Sequence, residues 1–217
     1  LQAKIPVFAD KPLAHSLQDA KTLLKLARQA GVPLVAGSSI PLQACVKGMK
    51  QAVGGCGQLL AAHLVGPGEF DNEYGGLPFY GSHLVELMVE LFGTAVQRVH
   101  TTVSGDAITA VCHYPGDLPV TLTFRRRERF YDLPCSWTVS TVGSGGAWHG
   151  ELVYDKYEGL PYDNPYVALA KKIVKAFRTG QEPDSAARML TPVAVWEAIE
   201  QSWRAGVAVA LGRRPRR

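Results

Sequence analysis

The amino-acid sequence predicts an α+β fold, in which a short α/β layer leads into a mainly antiparallel open sheet with helices on one face. Three observations carry that expectation. Short apolar runs alternate with stretches of helical period as far as Val65. The period then changes to two from Ala95 to about Tyr157, and two segments of helical period close the chain.

The first element is Ile5-Pro6-Val7-Phe8-Ala9, a short apolar run that suits a buried strand and ends at Asp10-Lys11-Pro12. Ser16 can cap a helix whose first turn also carries Asp19. Leu17, Ala20, Leu23, Leu24, Ala27 and Ala30 then recur at helical spacing, with Gly31 placed for a left-handed cap. Val32 to Ala36 reads as a second strand. A helix follows through Leu42, Cys45, Val46, Met49 and Val53 to Gly54-Gly55, and Gln58 to Val65 reads as a third strand. The segment from Gly66 to Gly81 is turn-rich and aromatic, with Phe70, Tyr74, Phe79 and Tyr80, and suits a loop lining a site. Leu84, Leu87, Met88 and Leu91 mark the next helix, stopped by Gly93.

Beyond it, Val120, Leu122 and Phe124 alternate with Thr121, Thr123 and Arg125. Turns are expected at Gly105-Asp106, Pro115-Gly116-Asp117 and Gly143-Ser144-Gly145-Gly146. Four to six strands result, with one face polar or covered by a partner. Helices from Pro165 to Phe177 and from Thr191 to Trp203 complete the chain.

Composition narrows the function classes. The 217 residues are 47% apolar and 19% charged, with a net charge of +4. No apolar run reaches the roughly 18–20 residues of a membrane span. The four cysteines (Cys45, Cys56, Cys112, Cys135) form no C-x-x-C pair and read as reduced thiols in a core, in keeping with a cytoplasmic protein. Positive charge gathers at Arg125–Arg127 with Arg129, and at Arg213, Arg214, Arg216 and Arg217. The first cluster reads as a solvated strand end and the second as a frayed tail, so no nucleic-acid partner is expected.

Three segments together resemble the glucose-fructose oxidoreductase/inositol dehydrogenase (Gfo/Idh/MocA) family. Val7-Phe8-Ala9-Asp10-Lys11-Pro12-Leu13-Ala14 is similar to the family's strand ending in Glu-Lys-Pro. Tyr80-Gly81-Ser82-His83-Leu84-Val85-Glu86-Leu87 is similar to its histidine-bearing helix. Tyr166 to Leu169, Ile173, Phe177, Thr179-Gly180, Pro183, Glu197-Ala198, Ser202 and Gly206 resemble its terminal two-helix signature. No strand followed by G-x-G-x-x-G and a helix occurs in the sequence. The expectation is therefore a fragment: residues 1–37 as the end of a Rossmann-type dinucleotide-binding domain, and 38–217 as a substrate-binding and oligomerisation domain.

The resemblance implies an NAD- or NADP-dependent oxidoreductase acting on a sugar or polyol, with most of the cofactor held by residues outside this chain. Hydride transfer from a hydroxyl-bearing carbon needs a proton acceptor and a group that stabilises the developing oxyanion. His83, with an ordinary pKa of about 6.5, suits the first role and Lys11 the second. Asp10, Lys11 and Pro12 would face the cofactor, a cis bond being implied as possible at Pro12, and Tyr74 and Tyr80 would shape the substrate pocket.

One departure stands out. The family's better-known dehydrogenases carry an Asp four residues before the histidine, and here that residue is Phe79. Asp71, Glu73 and Glu86 are candidates to replace it. His15, His63, His100, His113 and His149 have no metal-ligand spacing and read as structural. The rival reading is a non-catalytic assembly module. Its open sheet face would pair with the same face of a second copy, with Trp137 and Trp148 supplying surface.

Overall fold

In a computed structural model the chain is described at residues 1, 3–126, 136–153 and 164–211. Cys135, Arg127, Arg129 and the terminal arginines lie outside the described residues, as does the end of the strand region towards Tyr157.

Strands β1 (Val7–Ala9) and β2 (Leu34–Ala36) pair in parallel, with Val7 opposite Leu34 and Ala9 opposite Ala36. Helix α1 (Leu17–Ala30) crosses between them. The Ser16 side chain accepts from the Asp19 backbone N–H at 3.0 Å, satisfying a donor that the first turn leaves over. Gly31, at φ +66°, turns its N–H back to the carbonyls of Ala27 and Arg28.

After helix α2 (Ala44–Gly55), strand β3 (Leu59–Pro67) departs from the expected β-α-β-α-β layer. It joins a separate seven-stranded sheet made with β4 (Arg98–Ser104), β5 (Ala107–His113), β6 (Pro119–Arg125), β7 (Ser136–Gly143), β8 (Gly146–Val153) and β9 (Val209–Ala210). The order is β8-β7-β3-β6-β5-β4-β9. β3 runs parallel to β6 and antiparallel to β7. Its residue pattern gives the reason. Past a register shift near Leu60, Ala62 and Leu64 are buried while His63 is exposed and Val65 half-buried, the alternation of a strand covered on one face. β1 and β2 instead carry uninterrupted apolar triplets.

The covered face buries Leu64, Ala110, Cys112, Val120, Leu122, Phe124 and Val139 completely. Helix α3 (Gly81–Phe92) lies on it, contacting β3 and β6, and α2 reaches β8. α3 is buried on almost every side, as a helix apolar all round must be. Helix α5 (Ala186–Ala205) packs against α3, α1 and β4. It begins five residues before the expected Thr191, capped by Ser185, because Pro192 inside the helix breaks the sequence signal. Helix α4 (Pro165–Thr179) precedes it, capped by Asn164.

The hairpin turn expected at Gly143-Ser144-Gly145-Gly146 joins β7 to β8. The tryptophans correct the sequence expectation. Trp137 is 1% exposed and opposite Leu152, and Trp148 is opposite the buried Thr141, so both point to the helix-covered face. The open face carries another row instead. His149 faces Ser140, Ser140 faces His63, His63 faces Thr121, Thr121 faces Val111, and Val111 faces His100.

Candidate active site

The site forms where the end of β1 meets the loop before α3. Lys11 leaves β1 through a cis Lys11–Pro12 peptide, as the resemblance implied. Its ammonium donates to the Phe79 carbonyl and lies 4.7 Å from the Phe79 ring centroid and 5.1 Å from that of Tyr80. The negative faces of those rings attract the cation, so Phe79 holds electrostatically, from carbonyl and ring, what a carboxylate would hold by charge. Burial lowers the Lys11 pKa, while Asp10 and Glu86 pull it the other way.

Tyr74 stacks on Phe79 with centroids 4.4 Å apart, and Tyr80 meets the His83 ring edge-on at 5.4 Å. Asn72 fixes this loop. Its Oδ1 accepts from the N–H groups of Tyr74 and Gly76, both at 2.9 Å, and its Nδ2 donates to the Gly76 carbonyl at 2.8 Å. Four bonds from Asn72, reaching from Glu69 to Gly76, hold an otherwise irregular segment in one shape, an Asx turn extended to its neighbours.

His83 occupies the first turn of α3, and Trp137 approaches its ring edge-on at 6.0 Å. Burial, and after it the Lys11 charge, push its pKa down to about 3. The expected ordinary value does not hold, and the imidazole is neutral at any pH near 7. Its Nδ1 lies 2.6 Å from the Ser38 hydroxyl. Ser38 is set from two sides: its N–H donates to Glu86 Oε2 at 2.7 Å, and its Oγ accepts from the Ile40 N–H at 3.0 Å. Burial raises the Glu86 pKa against the pull of that N–H and of Arg188 and Lys172. Gly37, at φ +118°, makes room for the carboxylate, since a Cβ there would stand 2.9 Å from Glu86 Oε2.

Lys11, Tyr74, Tyr80 and His83 therefore stand in one aromatic-lined site, with the exposed Asp10 and with Pro12 at its β1 side. Among the carboxylates weighed for the missing Asp, Asp71 is engaged elsewhere, by Arg126 at 2.8 Å. Glu86 reaches His83 only through Ser38. Ser38, Asn72 and Trp137 are additions that the sequence reading missed. Ser38 follows a strand just as Lys11 does, and that position was the available signal. Among the described residues no group of three or more His, Cys, Asp or Glu could hold a metal ion.

No family model and no curated protein matches the chain by sequence. Solved structures do match by fold. An oxidoreductase from Agrobacterium radiobacter, in complex with NAD+, L-tartaric acid and magnesium, is similar over 97% of this chain and 74% of its own, with 18% identity and a TM-score of 0.78. Myo-inositol 2-dehydrogenase from Lactobacillus plantarum has the same coverage and TM-score at 14% identity. Scyllo-inositol dehydrogenase from Lactobacillus casei, with bound NAD(H) and scyllo-inositol, matches 96% of this chain and 74% of its own, with 11% identity and a TM-score of 0.76. The likeness shows that this chain, an α/β pair leading into a sheet covered by helices on one face, shares its fold with these oxidoreductase structures.

Proposed function

We propose that this chain is the substrate-handling part of an NAD- or NADP-dependent oxidoreductase that oxidises a hydroxyl of a sugar, polyol or related hydroxy compound. The observation that carries it is the pairing of a half-buried ammonium, Lys11, with a neutral imidazole, His83, both against the ring of Tyr80. The neighbours that bind NAD with scyllo-inositol or tartaric acid support the same class of substrate.

The donor set fits the reacting end of a nicotinamide cofactor: one cation, one neutral proton acceptor and aromatic walls. When bound, that cofactor supplies the hydride acceptor. Lys11 stabilises negative charge developing on the substrate oxygen, and its desolvation strengthens that interaction. His83 takes the hydroxyl proton at Nε2, its other nitrogen being held by Ser38. Tyr74 and Tyr80 wall the substrate side, while Asp10 and Pro12 border the cofactor side. Residues 1–37 are read as the end of the nucleotide-binding domain and 38–217 as the domain for substrate and self-association. The pyrophosphate of the nucleotide would be held outside these 217 residues, which contain no glycine-rich fingerprint after a strand.

The open sheet face favours an accompanying role in assembly. Its His63 and His149 side chains are exposed on either side of the partly buried Ser140, a surface of the kind that a second copy covers.

The test is nicotinamide absorbance in the protein expressed from its full reading frame, against a panel of inositols, aldoses and hydroxy acids with NAD and NADP. Turnover that vanishes in Lys11→Ala supports the reading. Wild-type turnover that Lys11→Ala leaves unchanged refutes it.

A further inference from the structure

Ser38 has a second neighbourhood. It also lines a cavity of about 100 Å³ to which His83 does not contribute. Ser38 and Glu86, 5% and 6% exposed, form its deep end. Glu90, Lys172, Asp184 and Arg188 line the rest, and their side chains are 17–29% exposed, so the cavity opens to solvent on their side. Roughly 10–15 Å³ admits one water, so several fit. Trp196 lines the same cavity, and its indole N–H is buried without a partner among the described residues, a donor that such water would satisfy.

The hydrogen bonds of Ser38 define what its hydroxyl can do. Oγ has two lone pairs and one proton. The Ile40 N–H takes one lone pair. If Nδ1–H of His83 takes the other, the hydroxyl proton is free to point into the cavity, and Nε2 of His83 is left unprotonated toward the substrate. In the opposite arrangement Ser38 donates to Nδ1, Nε2 carries the proton, and His83 cannot act as a base.

The site needs an exit for protons. A base enclosed by Tyr80, Trp137 and the substrate, with the Lys11 charge beside it, cannot store the proton it takes. We propose that Ser38 is a proton relay between His83 and the charged cavity. As the substrate O–H breaks, N–H forms at Nε2. The Nδ1 proton passes to Ser38 Oγ, and the Ser38 proton passes to cavity water and out past Glu90 and Asp184. One proton enters and one leaves, with no change in the charge of His83. The proposal rests on the reading of His83 as the proton acceptor.

Long-range proton–nitrogen spectra of this chain, with His83 assigned by its loss in His83→Gln, give the tautomer directly. The Nδ1–H form is expected, and the Nε2–H form would overturn the relay. In the oxidoreductase assay, Ser38→Ala should lower turnover on the order of 10²-fold. Small diffusible buffers should restore part of the loss, and Ser38→Thr, which keeps the hydroxyl, most of it. A Ser38→Ala protein with wild-type turnover and solvent isotope effect, beside an inactive His83→Asn, overturns the relay alone. An undiminished His83→Asn removes the base and the relay together.

Discussion

Glu86 Oε2 accepts the backbone N–H of Ser38 at 2.7 Å, joining the buried centre of α3 to the end of β2. Glu86→Ala leaves that N–H buried without an acceptor, and a loss of about 1–3 kcal/mol is expected. Glu86→Gln keeps an acceptor without a charge. Because burial raises the Glu86 pKa, the wild-type carboxyl contributes most when protonated, at low pH, and its contribution is lost as pH rises through that raised value. Urea midpoints should therefore favour Glu86→Gln increasingly as pH rises above the ordinary carboxylate range. Equal midpoints throughout would contradict it.

His83 gives the opposite slope. Its folded pKa of about 3 lies below the unfolded value of about 6.5, so the unfolded chain binds the extra proton between them. Stability is full above about 6.5 and falls as pH drops toward 3, by up to ~1.4 kcal/mol per pH unit for this one group. The difference between wild type and His83→Phe in denaturation midpoint isolates it. A difference that stays constant over this window would show that His83 titrates normally.

Lys11→Met should raise the His83 pKa toward its ordinary value, because the Lys11 charge is one of the two causes of its depression. An NMR titration of the His83 ring checks this in the absence of substrate. Turnover should fall about 10²–10³-fold in the same variant, the usual loss for an oxyanion donor.

Gly66→Ala tests how closely β3 and Trp137 are fitted. A Cβ at Gly66 would stand 2.6 Å from Trp137 Cδ1 and 3.2 Å from Leu84 Cδ1. Both neighbours are buried, so the strain should cost about 1–3 kcal/mol. Thermal unfolding followed by tryptophan fluorescence reads both the loss and the displaced ring.

Thr121→Lys places a charge at the middle of the open face, between His63 and Val111. Sedimentation equilibrium should show a weakened self-association with unchanged monomer stability. A wild-type monomer at all concentrations would rule out the assembly role.

Much of the fold was legible because local chemistry marked it. Ser16 and Gly31 cap α1 where expected, and the alternation through Val120, Leu122 and Phe124 matches the burial of β6. The partner of β3 was not legible, since strand pairing across about sixty residues leaves no mark on local period. The facing of Trp137 and Trp148 was misjudged for a related reason. Period two says which residues share a face, not which face receives the helices. In the site, Lys11 and His83 came from short motifs. Ser38 and the depressed pKa of His83 depend on the meeting of β2 with α3, which no segment encodes alone.

The position of β3 has a further consequence, for the order in which the chain can fold as it is made. β3 is complete at Pro67, yet its neighbours are β6, ending at Arg125, and β7, ending at Gly143. A chain emerging from the ribosome therefore carries β3 with both edges unpaired until some fifty-eight further residues have followed, and with one edge unpaired until some seventy-six have, leaving Leu60 and Val65 open to foreign strands meanwhile. The hairpins β4–β5, β5–β6 and β7–β8 close locally, but the pairings of β3, and that of β9 with β4, wait for distant segments. The β3–β6 pairing, and the still more distant β3–β7 and β4–β9 pairings, make this a slow-folding topology for its size.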